Sequence, residues 1–126
     1  MAFDMYMEEI IDHYKHPRNF HSMDDATHSR KEANPLCGDT LTVYLKVKDG
    51  AIDDVSFTGS GCAISMASMS MLSEKLKGMK VEDALALQRE DIIKMLNTDL
   101  TAVRVKCAML GLVAVRNALK DGGNDE

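Results

Sequence analysis

The chain has 126 residues, of which 45% are hydrophobic and 28% charged, and its formal net charge is −5 at pH 7. That length suits one domain, residues 1–126, with a real core, and the composition is ordinary for a globular chain. No basic block offsets the acidic balance, which argues against nucleic acid as the main partner, and no apolar run reaches the length of a membrane-spanning helix. The first residues lack the basic-then-apolar pattern of a secretory signal, so the cytoplasm is the expected location.

Phe3 to Tyr14 reads as an amphipathic helix, with Phe3, Met7, Ile10, Ile11 and Tyr14 on one face. Pro17 ends it, because the residue before a proline avoids the helical region. His13 and His16 flank that end, where a cation is mildly favourable. Arg18 to Glu32 is polar, and a short edge strand is expected around Ala26–Lys31. His21 and His28 fall there without ligand spacing and are expected to be solvated. Asn34-Pro35-Leu36-Cys37-Gly38-Asp39 marks a turn that presents a thiol and, two residues on, a carboxylate. Asp39 is equally readable as a turn-forming side chain and as a ligand.

A hairpin follows. Leu41, Val43, Leu45 and Val47 alternate with polar residues, Asp49-Gly50 is a strong turn signal, and Ile52 to Thr58 returns with Val55 and Phe57 inward. Ile52 is out of phase, which points to a bulge. Gly59-Ser60-Gly61-Cys62 then joins strand to helix. Cys62 would sit where the free N–H groups of a helix start favour negative charge. The helix is expected over Cys62 to Lys77 and stops at Gly78. Ala63, Ser65, Ala67 and Ser68 keep it slim near Cys62, and Met69 and Met71 are expected to fill gaps in the core. Short helices are expected over Val81–Gln88 and Asp91–Leu96, and a largely buried one from Val103 or Val105 to Leu119. No repeat or linker divides the chain.

Three cysteines, with 24 and 44 residues between successive ones, form neither a zinc-finger spacing nor a C-x-x-C redox motif. Their position is more telling, because Cys37, Cys62 and Cys107 each fall at a junction of elements where distant side chains can converge. Three thiolates and one oxygen or nitrogen complete a tetrahedral site for zinc or for iron–sulfur iron. Asp39 is the nearest candidate for the fourth position. Arg104 and Lys106 flank Cys107, where their charge would favour ionised thiols.

Asn34-Pro35-x-Cys37-Gly38-Asp39, Gly59-x-Gly61-Cys62-x-Ile64-Ser65-x-Ala67-Ser68 and Arg104-Val105-Lys106-Cys107 resemble the IscU/SufU (NifU N-terminal-like) family of iron–sulfur cluster assembly proteins. Ile11-Asp12-His13-Tyr14-x-x-Pro17-Arg18-Asn19 matches as well. The resemblance implies an α+β fold, SufE/NifU-like, with a three-stranded antiparallel sheet packed against several helices and the cysteines at one end. It implies a 2Fe–2S cluster assembled on Cys37, Cys62, Cys107 and Asp39 for transfer to recipient apoproteins. It further implies a pyridoxal-phosphate-dependent cysteine desulfurase (IscS/SufS/NifS type) that delivers sulfur to Cys107. Tyr6 matches a tyrosine position of the family, so the first helix is expected to contribute to desulfurase docking or to a homo-oligomer. Loss of the aspartate in the family tends to trap a bound cluster. The chain is thus expected to be a non-enzymatic scaffold or a sulfur-transfer partner. The alternatives are a zinc-bound SufU-type protein that relays persulfide, and a structural zinc module.

The sequence departs from both branches. IscU-type proteins carry a histidine where Lys106 stands, and Leu100-Thr101-Ala102-Val103-Arg104 lacks the two prolines of their chaperone-recognition segment. SufU-type proteins share Lys106 but usually carry an insertion before the third cysteine, for which the 44-residue gap is too short. Lys106 is also placed to pair with Asp39 in competition with a metal.

Overall fold

The structure, a computed structural model, describes residues 2–35, 38–97 and 100–121, with side chains from residue 8 to residue 120. The elements run α1 (Ala2–Lys15), β1 (His28–Asn34), β2 (Asp39–Lys48), β3 (Ala51–Ser60), α2 (Ala63–Leu76), α3 (Val81–Leu85), α4 (Arg89–Leu96) and α5 (Ala102–Asp121). The strands form one antiparallel sheet in the order β1-β2-β3, and the class is α+β. Helices α2 and α5 pack on the sheet and on each other, α1 packs on α2, and α4 packs on both α2 and α5.

The β2–β3 hairpin follows from its alternation. Leu41, Val43 and Leu45 are fully buried with Val55 and Phe57, while Thr42, Tyr44 and Lys46 between them remain partly exposed. Asp49 and Gly50 both adopt positive φ, 54° and 79°, which gives the tight turn a twist matching the strands. Lys46 faces Asp54 but Val47 faces Ile52, so Asp53 is an extra residue. That bulge turns Ile52 back into the core, where its exposure is 0%.

Three boundaries differ from expectation. The first strand lies at His28–Asn34 rather than Ala26–Lys31, because its extent is set by pairing with β2 from Leu45 down to Asp39. Its own sequence, with Ala33 as the one apolar residue, carries no alternation to read. Gln88 caps α4 rather than ending the preceding helix, which stops at Leu85. The Asp91 carboxylate accepts the Gln88 N–H at 2.7 Å and the Gln88 side chain accepts in return, a capping box that starts α4 at Arg89. The last helix begins at Ala102, where Thr101 Oγ1 accepts the Arg104 N–H at 3.4 Å.

Helix α1 buries a narrower stripe than its apolar face suggests. Ile10 is 2% exposed, whereas Ile11 and Tyr14 are 44% and 45% exposed, because α1 packs mainly against one helix. His13, expected only to sit where a cation is mildly favourable, is buried beside Ile10. Its Nδ1 lies 2.7 Å from Ser70 Oγ, and Ser70 Oγ also accepts the Arg18 N–H at 2.8 Å. Burial first, and the Arg18 charge second, hold the His13 imidazole below its ordinary pKa of 6.5. The α2 stretch from Ser65 to Ser73 is buried throughout, with Met69 and Met71 in the core as expected. Among the described residues, no helix is long and apolar enough to cross a membrane.

Candidate metal centre

The centre sits where β2 begins, β3 ends and α2 starts. Pairing of Thr40 with Ser60 puts Asp39 beside the joint Gly61-Cys62. Cys62 is the residue that precedes the first turn of α2, in an extended conformation with φ −72° and ψ 168°. Its own side chain does not cap the helix. Asp39 does so from a distance: its Oδ1 accepts the Cys62 N–H at 3.0 Å. A carboxylate at a helix N-terminus is stabilising, by ~0.3–1 kcal/mol in typical settings.

The second carboxylate oxygen is the unusual one. Asp39 is 2% exposed, and its Oδ2 is buried with no hydrogen-bond partner among the described residues. Leaving a buried charged acceptor without a partner costs about 1–3 kcal/mol or more, so such an atom calls for a cation. Cys62 and Cys107 supply the setting for one. A carboxylate oxygen of Asp39 and the two sulfurs all lie within 4.8 Å of one another. In a tetrahedral zinc site with Zn–S near ~2.3 Å, ligand atoms stand about 3.8 Å apart, so the three donors need to close by only about 1 Å. The donor set fits a thiophilic metal, and the unpartnered Oδ2 fits its charge.

Gly61 makes this approach possible. A Cβ there would collide with Ser65 Oγ and would stand 3.0 Å from both Cγ and Oδ1 of Asp39. Ser65, 1% exposed, forms the floor: its hydroxyl donates to the Cys62 carbonyl at 3.1 Å and lies 3.8 Å from Cys62 Sγ. Cys107 arrives from the second turn of α5 and is 1% exposed, while Cys62 is half-buried, so the centre opens to solvent on the Cys62 side.

The sequence of residues 5–123 matches the profile of the NifU-like N-terminal domain. The chain belongs to that family. It is 38% identical over 117 residues to the iron–sulfur cluster assembly scaffold protein IscU 1 of Archaeoglobus fulgidus, covering 93% of this chain and 76% of that protein. It is 36% identical over 120 residues to the scaffold protein IscU of Escherichia coli K12, covering 92% of each. Among solved structures it is similar to a Fervidobacterium islandicum protein assigned as an iron–sulfur cluster assembly scaffold for the SUF system, with TM-score 0.75, 27% identity, and coverage of 89% of this chain and 94% of that one. A NifU-like protein of Brucella abortus, 22% identical with TM-score 0.76 over 93% of each chain, shows the fold alone.

Of the expected site residues in this NifU-like chain, the structure brings together Asp39, Cys62 and Cys107. Cys37 lies outside the described residues. Its described neighbours Asn34 and Gly38 are joined by a Gly38 N–H to Asn34 carbonyl bond of 2.9 Å. Tyr6 belongs to α1, and its side chain is outside the description. Lys106 and Arg104 are exposed, and among the described residues no ion pair joins Lys106 to Asp39. Successive helix residues point roughly 100° apart, so with Cys107 turned inward its neighbour faces elsewhere. Lys106 lines a groove of about 400 Å³ with Arg89, Asn34, Pro35 and Met109. The buried serines Ser65 and Ser68 were legible only as small residues. The folded chain marks them: they are polar side chains in a helix stretch, Ser65 to Ser73, that has no exposed residue.

Proposed function

We propose that this protein, placed in the cytoplasm, accepts sulfur from a pyridoxal-phosphate-dependent cysteine desulfurase and assembles a 2Fe–2S cluster on Cys37, Asp39, Cys62 and Cys107 for transfer to apoproteins. The observation that carries the reading is the buried Asp39 carboxylate, with one oxygen within 4.8 Å of the Cys62 and Cys107 sulfurs and its Oδ2 unpartnered among the described residues, in a chain of the NifU-like family. Cys107 takes the sulfur acceptor role. Its thiolate attacks the outer sulfur of the desulfurase persulfide, the donor S–S bond breaks, and the donor cysteine leaves as thiolate. Asp39 holds the fourth position through Oδ2 while Oδ1 stays on the Cys62 N–H, which makes it the ligand most easily exchanged. Exposed Ile11 and Tyr14 on α1, with Phe20 42% exposed, support α1 as part of a docking surface for the desulfurase or a second copy.

The test is anaerobic reconstitution with a cognate desulfurase, cysteine, ferrous iron and a thiol reductant, which supplies the electrons beyond those of the iron that take persulfide sulfur to sulfide. The expected result is two irons and two sulfides per chain, with persulfide mapped to Cys107 in the absence of iron and reductant. Persulfide confined to Cys37 would move the acceptor role. A second reading, a zinc-loaded protein that relays persulfide, is favoured by Lys106 in place of histidine and by the likeness to the SUF-system protein. It is distinguished by sulfur transfer that proceeds with zinc bound and no iron. Zinc retention with no sulfur acceptance from any desulfurase would leave a structural zinc module.

A further inference from the structure

We propose that Ser68 is a positioning residue for the metal centre: its buried hydroxyl ties α2 to α5 one residue past Cys107 and thereby sets the separation of Cys62 and Cys107. The inference rests on the reading of Asp39, Cys62 and Cys107 as metal ligands. Ser68 is 1% exposed, and its Oγ donates to the Ala108 carbonyl at 2.8 Å across the two helices. Within α5 that carbonyl already has the helical N–H four residues on as its donor, so the serine is not needed to satisfy it. The hydroxyl instead adds a direction to the contact.

The helices meet closely at this level. A Cβ on Gly111, one turn beyond Cys107, would stand 2.6 Å from Met69 Sδ. Apolar packing of that kind is non-directional and permits α5 to slide or roll by a fraction of an ångström. A hydrogen bond between fixed donor and acceptor restricts both motions. Metal sites need donors within about 0.2 Å of their bonding distances, so the roll of α5 at Cys107 matters more to the centre than to the core. Ser73 provides the contrast. It is equally buried on α2, but its hydroxyl donates to the Ser70 carbonyl at 2.6 Å and accepts from Asn19 Nδ2 at 2.9 Å, so it holds a loop and neither cysteine helix against the other.

The experiment compares wild type, Ser68→Ala and Ser73→Ala, using zinc competition against a chelator, the sulfur-to-cobalt charge-transfer band of the Co(II) form, and melting of the metal-free protein. Ser68→Ala is expected to bind zinc at least tenfold more weakly and to shift or weaken the cobalt band. Ser73→Ala keeps both, even where its melting temperature falls as far. Equal affinity and band in Ser68→Ala and wild type, or equal losses in the two variants, overturns the proposal. If Ser68→Ala does not fold, the near-isosteric pair Ser68→Thr and Ser68→Val decides it: the hydroxyl variant retains affinity and the methyl variant loses it, and equal affinities overturn it. A wild-type protein that binds neither ion overturns the metal-site reading, and this inference with it.

Discussion

Asp39 divides its two oxygens between two tasks, and substitution can separate them. Asp39→Asn keeps an oxygen for the Cys62 N–H and gives up the charge, whereas Asp39→Ala gives up both. Both variants are expected to fold, with Asp39→Ala less stable than Asp39→Asn by about 1 kcal/mol in urea unfolding, the worth of a helix cap. Both are also expected to hold a reconstituted cluster longer and to pass it to an acceptor apoprotein more slowly than wild type. Unchanged lifetimes and transfer rates would leave Asp39 as a cap alone. His13 carries a separate expectation. Its neighbours Glu74, Asp12 and Glu9 favour the proton, but burial and Arg18 outweigh them and depress the folded-state pKa. The unfolded chain therefore binds the proton more readily. The stability from neutral His13 is fully present above the ordinary value of 6.5 and is lost as pH falls from there through the lower folded-state pKa. Urea melts at pH 7.5 and pH 5.5 should show the loss, and His13→Gln should flatten that part of the profile while lowering stability at the higher pH. An equal slope in both proteins would remove His13 as its source.

At the scale of elements, the centre depends on a strand-to-helix joint with no room for a side chain. Gly61→Ala places a Cβ against Ser65 Oγ and the Asp39 carboxylate, so one or both must move. The expected cost is about 1–3 kcal/mol of stability, as for other overpacked sites, together with zinc affinity weaker by tenfold or more in a chelator competition. Wild-type affinity in Gly61→Ala would mean that the joint relaxes without disturbing Asp39. The Gln88–Asp91 capping box starts α4 at Arg89 and so places that side chain on the groove that Lys106 also lines. An Asp91→Ala change should cost about 1 kcal/mol and leave metal binding at the wild-type level, because α4 supplies none of the converging donors.

For the whole molecule, the metal is expected to act as a staple between segments far apart in sequence. Zinc at one hundred times its dissociation constant would add about 2.7 kcal/mol, or roughly 10 °C in melting temperature for a chain of this size. Cys62→Ala and Cys107→Ala should each lose most of that gain, and a gain retained in either variant would remove its cysteine from the ligand set. What the sequence settled was local or carried by motif. Alternation from Leu41 to Val47, the Asp49-Gly50 turn and the out-of-phase Ile52 together specify the hairpin and its bulge, since strand period and turn chemistry are properties of adjacent residues. The cysteine motifs pointed to the family, and helix period found α1, α2 and α5. Periodicity records which side of an element is apolar, but not what it will meet. It therefore gave α1 an apolar face of which only Ile10 is buried among the described side chains, with His13 buried beside it, and it misplaced the limits of an edge strand, which come from its neighbour. It also left Lys106 free to be imagined beside Asp39. Only the packing of α5 against α2 decided that Cys107 turns inward and Lys106 away and that Ser68 reaches Ala108, and only the β2–β3 pairing that carries Asp39 to the start of α2 decided that one of its oxygens caps a helix while the other stays buried without a partner among the described residues. A polar group's partner depends on the three-dimensional approach of distant segments, and no local pattern encodes that approach.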